Sequence, residues 1–413
     1  VKVVVYPHML EIGGSQLNAI ELAAAVRDLG NEVIVFSQPG PLQRRIAELD
    51  LEFIAAPRPR GRPSIPVMHA LDKLVRRRCV DVVHGYEWTT ALEAYWGPRA
   101  ISGVPAVATV MSMAVAPFLP RDMPLIVGTE QIADHERRAG RVDVAVIEPP
   151  VDLDHNAAGV VDTADFRDKH CLDREALTVV CVTRLAAELK TEGVLAAIDV
   201  VADLAAEAPV QFVLVGDGPT RDAVATAAAA ANERCGRRAI ILTGQLDDPR
   251  AAYASADVCL GMGGSALRSM AFGQPVVVQG EAGFWELLTP QTVEGFLWAG
   301  WYGVGDGPQH GRARLTSILR PLLDDESRRA ELGRYALGLV EERFSLRRAG
   351  ERQLDLYETA SRGAPLRRRR SIAAAGASAS GLAAYRVRRR LEDLLGRGSA
   401  DDFNAVPVAK LAR

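Results

Sequence analysis

Short apolar runs alternate with stretches of helical period along the whole chain. In the first half, residues 3–6, 32–37, 80–84, 106–110, 125–128 and 144–147 read as strands, and 17–29 reads as a helix that Gly30 stops. Strands separated by helical patterns predict βαβ units and parallel sheets. Glu148-Pro149-Pro150 closes this half, because paired prolines neither continue a helix nor donate to a central strand. The pattern then restarts with strands at 178–182, 211–215, 239–242, 257–260 and 275–279, and helices at 195–205 and 221–232. Past Pro321 a helical segment spans 326–357, and the stretch 361–365 marks the start of a tail. The expected fold class is therefore α/β, with two doubly wound Rossmann-like domains facing across a cleft and ligands at the carboxyl ends of the strands. The expected boundaries are an N-terminal domain over 1–155, a C-terminal domain with closing helices over 156–362, and a basic tail over 363–413, partly disordered or amphipathic.

A chain of 413 residues is long enough for such a pair. Its five cysteines are scattered, odd in number and form no CxxC pair, so neither a disulfide framework nor a zinc site is indicated. With no secretory signature at its start and no apolar run of spanning length, the expected location is the cytoplasm. The net charge of −3 hides an asymmetry: residues 364–413 carry eleven Lys or Arg against four acids, a net of +7 that leaves −10 on residues 1–363. Such a tail is either solvated or drawn to an anionic surface, which adds peripheral contact with the inner face of a membrane to the expected partners. Tyr385 is the one aromatic residue interleaved with the arginine clusters, so nucleic acid is not expected as a partner.

Four turns carry the candidate chemistry. Gly13-Gly14-Ser15 lies between the first strand and first helix, where backbone amides are freed, but the full GxGxxG pattern is missing and a redox dinucleotide is not expected. After the strand 178–182 come Arg184 and Lys190, two cations able to neutralise a diphosphate without a metal. Gly216-Asp217-Gly218-Pro219 follows the next strand. Met262-Gly263-Gly264-Ser265-Ala266-Leu267-Arg268 leads from a strand into a short helix, a turn suited to an anion at a helix N-terminus.

Gly13-Gly14, Val182-Thr183-Arg184 with Lys190, the run from Val215 to Pro219 and the run from Ser269 to Val277 resemble in order and approximate spacing the signature segments of family 4 glycosyltransferases over residues 1 to about 360. The resemblance implies the GT-B fold, with a nucleoside-diphosphate sugar bound in the C-terminal half and an acceptor in the N-terminal half. It implies a retaining transfer of the sugar to an acceptor hydroxyl, with no metal and no cofactor, in carbohydrate or glycan biosynthesis. The family's diphosphate-holding cations fall on Arg184 and Lys190, which are the expected catalytic residues. Donor contacts are expected from Gly216, Gly218, Gly263, Gly264, Ser265, Ala266, Leu267, Arg268 and Glu286. The acceptor side is expected at Gly13, Gly14, His84 and Met111, the acceptor being a glycan, a lipid-linked molecule or a small molecule.

Departures from the pattern mark a divergent member. The family's E-x7-E glutamates fall on Leu260 and Arg268, and its histidine in a Thr-x-His context falls on Met111. Glu286 takes the place of a glutamate in the family's Gly-Gly-x-x-Glu loop, and Arg268 could instead pair with phosphate or with a carboxylate on the donor sugar. Asp152-Leu153-Asp154 matches the metal-holding DxD of another glycosyltransferase fold, but it follows the prolines at the interdomain link and is not read as a metal site. Two alternatives stay open: a non-catalytic nucleotide-sugar or carbohydrate-binding protein of the same fold, and a GT-B sugar-nucleotide epimerase.

Overall fold

The computed structural model of the chain describes residues 1–363, 368–395, 403 and 408. The described residues divide into two compact units, one of residues 1–148 with those from 346 onward and one of residues 149–345.

The first unit is built on β1 (Lys2–Tyr6), β2 (Glu32–Ser37), β3 (Glu52–Ala55), β4 (Val82–Tyr86), β5 (Ala106–Val110), β6 (Leu125–Val127) and β7 (Val144–Val146). Its helices are α1 (Gly14–Asp28), α2 (Gln43–Glu48), α3 (Ile65–Arg78), α4 (Glu87–Ala94), α5 (Ala100–Ser102) and α6 (Glu130–Arg138). The seven strands pair in parallel in the order β3-β2-β1-β4-β5-β6-β7. Alternation decides which core each side chain enters: Val4 and Tyr6 of β1 join one apolar cluster, and Val3 and Val5 join another on the opposite face.

The second unit carries β8 (Leu177–Val182), β9 (Val210–Val215), β10 (Ile240–Gly244), β11 (Val258–Gly261), β12 (Val276–Gln279) and β13 (Trp285–Leu287). Between and after them run α7 (Ala164–Lys169), α8 (Thr191–Ala205), α9 (Arg221–Cys235), α10 (Arg250–Ala254), α11 (Gly264–Ala271), α12 (Val293–Ala299), α13 (Pro308–Asp324) and α14 (Glu326–Arg343). The sheet order is β10-β9-β8-β11-β12-β13, parallel except for the edge strand β13. Two further helices, α15 (Leu346–Arg362) and α16 (Arg368–Leu394), belong to the first unit.

Three expectations change. The helical segment 326–357 breaks at Phe344, because the Phe344 carbonyl accepts a hydrogen bond from the Val151 N–H at 2.8 Å and Ser345 bridges to Val151. The helix after this break does not close the C-terminal domain. It packs on α1, where Gly350 lets the helices approach so closely that a Cβ would lie 2.8 Å from that of Ala25, and Tyr357 is buried beside β4. The strand read at 80–84 begins two residues later, because the Val80 N–H caps α3 by donating to the Val75 carbonyl. The edge strands β3 and β13 are short and only partly buried, and the glutamate in each keeps them from standing out in the apolar pattern.

Within the tail, 368–394 is helical, while Arg367, Arg397, Lys410 and Arg413 lie outside the described residues. Among the described residues no helix is long and apolar enough to cross a membrane.

Candidate functional site

In the second unit the strand order reverses between β8 and β11. Connections leaving two neighbouring strands in opposite directions open a crevice at their carboxyl ends, the usual ligand position in such sheets. The segment holding Arg184 and Lys190 leaves β8 there, and the glycine turn into α11 leaves β11. The two meet: Lys190 Nζ lies 2.9 Å from the Met262 thioether sulfur. A thioether is a weak acceptor that leaves most of an ammonium's hydrogen-bonding capacity unused. Burial, reinforced by the charge of Arg184, pushes the Lys190 ammonium down to about 8. Its backbone is held by Gln279, whose side-chain amide donates to the Lys190 carbonyl at 2.9 Å. Arg184 is exposed, and its side chain has no acid partner among the described residues.

The first turn of α11 supplies donors. Gly263 takes φ 58° and ψ −131°, a conformation that favours glycine, and no side chain caps the helix. The N–H groups of Gly264 and Ser265 have no acceptor among the described residues, as expected at an uncapped helix start. The rest of the turn is committed: Gly263 N–H donates to the Trp301 carbonyl at 2.9 Å, and Ala266 and Leu267 N–H both reach the Gly263 carbonyl. Ala266 and Leu267 are also fully buried in the core, which removes them as donor contacts. Ser265 Oγ lies 3.1 Å from the Met262 carbonyl and braces the turn. Arg268 Nη1 comes within 3.8 Å of the position a Gly264 Cβ would take, so the guanidinium folds back over this helix start.

Gly216 and Gly218 act through packing. At φ 145° and φ 156° they occupy backbone space that other residues rarely enter. A Cβ on Gly216 would overlap the Thr183 carbonyl oxygen, and one on Gly218 would lie 2.5 Å from that of Leu185. These contacts seat the turn after β9 on the backbone to either side of Arg184. Glu286 lies on β13, and its carboxylate is held by Arg314 Nη2 at 3.0 and 2.9 Å. Leu260, in the place of the first family glutamate, is a buried strand residue opposite Cys181. Asp152 is spent on its own turn, accepting from the Asp154 and His155 N–H groups and pairing with the His155 ring at 2.9 Å.

In the first unit the corresponding reversal lies between β1 and β4. Gly13 precedes α1, and the N–H groups of Gly14, Ser15 and Gln16 have no acceptor among the described residues. Space beside Gly14 is open. The residue that organises this end was not legible in the sequence. Glu87 begins α4 at φ 67°, a conformation costly for a residue with a side chain. Its carboxylate accepts from Ser15 Oγ at 3.0 Å, Met111 N–H at 3.0 Å and Ser112 Oγ at 2.9 Å, tying the two loops together. Only the position after strand β4 hinted at it.

His84, expected on the acceptor side, is completely buried. Its ring nitrogens meet the Tyr357 hydroxyl at 2.6 Å and Thr109 Oγ1 at 2.7 Å, and burial pushes its pKa down to about 3. It is a neutral core residue that receives α15, not a surface ligand group.

Two doubly wound units of this kind define the two-domain GT-B class. Solved structures with the same fold include a glycosyltransferase from Rickettsia africae, 14% identical with a TM-score of 0.67 over 88% of this chain and 99% of that one. Another is Anabaena Alr3699/HepE in complex with UDP, 15% identical with a TM-score of 0.66 over 87% and 100%. A third is the UDP co-structure of S. aureus MnaA, 13% identical with a TM-score of 0.60 over 87% and 96%. No curated protein matches the chain. Residues 12–155 match the family described as Glycosyltransferase Family 4, and residues 176–301 match Glycosyl transferases group 1. One match in each unit, on this fold, supports a family 4, GT-B glycosyltransferase.

Proposed function

We propose that the chain transfers a sugar from a nucleoside diphosphate to an acceptor hydroxyl, with retention of configuration and without a metal or cofactor. The observation that carries this reading is Lys190 against the turn into α11, whose first two amides have no acceptor among the described residues, with Arg184 exposed on the same segment after β8 and neither cation holding an acid partner among those residues. Together they suit a diphosphate on which negative charge grows as the glycosidic bond breaks. The departing phosphate oxygen takes the acceptor proton, so no side-chain base is needed. Arg268, folded over the same helix start, contacts the donor. We place the reaction on the cytoplasmic side, with a glycan, lipid-linked or small-molecule acceptor.

Calorimetry with UDP and GDP in EDTA tests the metal-free site. One of the two nucleotides binds in EDTA with an affinity that added Mg²⁺ or Mn²⁺ leaves unchanged. Binding lost in EDTA and restored by the metal overturns the reading.

Lys190 gives this binding a pH signature. Its pKa of about 8 lies below the ordinary 10.5, so the folded protein sheds this proton around pH 8, while the unfolded chain keeps it until about 10.5. The fold disfavours the ammonium, and that cost is lifted as pH rises from about 8 towards 10.5, so this group adds stability across that window. A bound diphosphate restores the ammonium. Nucleotide binding above pH 8 is therefore accompanied by proton uptake, and affinity falls as the pH rises further. Calorimetry in two buffers of different ionisation enthalpy reads the uptake directly. Identical heats in both, just above pH 8, would remove Lys190 from the site.

A further inference from the structure

Among the described residues, the helix α16 has two apolar faces and only one of them is packed. Ser378 and Leu382 are buried against the first unit, Leu382 joins its core cluster, and the Tyr385 ring packs 5.1 Å from Phe118 and 6.2 Å from Trp88. Gly381 allows this contact, since a Cβ there would lie 2.9 Å from that of Phe118. At about 100° per residue these four positions share one side of the helix. Val387, Leu391, Leu394 and Leu395 fall on the opposite side, within about 100° of arc. They are 60%, 55%, 83% and 67% exposed. The helical course continues through Leu395, whose N–H donates to the Leu391 carbonyl at 3.0 Å.

Arginines border this stripe on both sides. Arg386 and Arg390 lie along one edge and Arg388 along the other, and all three are exposed. Arg386 also donates to the Arg62 carbonyl, which fastens the helix to the first unit just before the stripe begins. Arg388 pairs with Glu392 at 3.5 Å, and Arg390 has no partner among the described residues. An exposed apolar stripe with long cationic side chains on its flanks is what an interface-lying helix presents, leucines in the acyl boundary and guanidinium groups at the headgroups. The arginines fix the sign of the partner's charge.

We propose that the end of α16, from Val387 to Leu395, docks the protein on an anionic phospholipid bilayer, lying in the interface plane with its other face held by the first unit. This surface does not depend on the transfer reaction, and its test needs no nucleotide.

The full chain is mixed with phosphatidylcholine vesicles, with and without phosphatidylserine, and floated at low and high salt. It is expected to float with the anionic vesicles only, and salt is expected to release it. The triple variant L391S/L394S/L395S changes only exposed side chains and should melt like the native chain while losing anionic-vesicle binding at least about tenfold. The double variant R388Q/R390Q should lose the preference for phosphatidylserine. Undiminished flotation of the triple variant overturns the proposal, as does equal binding of the native chain to neutral vesicles. So does sedimentation showing that the native chain is a dimer that the triple variant dissolves, since the stripe would then be covered by a second copy. Binding of single-stranded RNA with no vesicle binding would equally overturn it.

Discussion

Lys190→Ala and Arg184→Ala are each expected to lower sugar transfer at least about tenfold, which corresponds to roughly 1.4 kcal/mol of transition-state stabilisation. The two losses differ in kind. Lys190 is partly buried against Met262 and fixed at its backbone by Gln279, so its ammonium is held in place before a ligand arrives. Its removal should fall on kcat, because charge on the leaving diphosphate is largest in the transition state. Arg184 is exposed and must be ordered by the donor, so its removal should also raise KM. Steady-state kinetics with the donor identified by calorimetry measures both. Native turnover by both variants would show that the charge compensation lies elsewhere.

Gly216→Ala is expected to destabilise the protein by about 3 kcal/mol or more, lowering the melting temperature by several degrees. Two costs add: the residue must hold φ 145°, and its Cβ would press on the Thr183 carbonyl. The obstacle is backbone and cannot rotate away. Gly14→Ala is the control, since nothing lies within 4 Å of a Cβ there. Thermal unfolding of the two variants makes the comparison, and a Gly216→Ala melt no lower than the control would refute the packing account. Because Thr183 adjoins Arg184, the surviving folded fraction of Gly216→Ala should also bind donor less tightly.

The comparison of sequence with structure divides along physical lines. The two parallel sheets were legible because their strands are apolar on both faces, and buried runs such as those of β1, β8 and β12 stand out from the helices around them. Arg184, Lys190 and the glycine turn before α11 were legible as candidates because strand ends in such sheets are where chemistry collects, and because their order resembles a known family's. Strands β3 and β13 were not, since each is short, carries a glutamate and is only partly buried, which leaves no continuous apolar run.

By itself the sequence determined the alternation of strands and helices, the two-sheet architecture and the cations and glycines at the ends of β8 and β11. Those properties are local: periodicity, charge and φ preference belong to a residue and its neighbours. Tertiary structure alone decided that His84 is a buried partner of Tyr357, that Glu87 ties Ser15 to Ser112, and that Ala266 and Leu267 face the core. It also placed α15 on α1 and gave α16 one buried and one exposed apolar side. Each of these depends on groups brought together from distant parts of the chain, as Tyr357 is brought to His84 across 273 residues, and burial and pairing at that range leave no trace in local pattern.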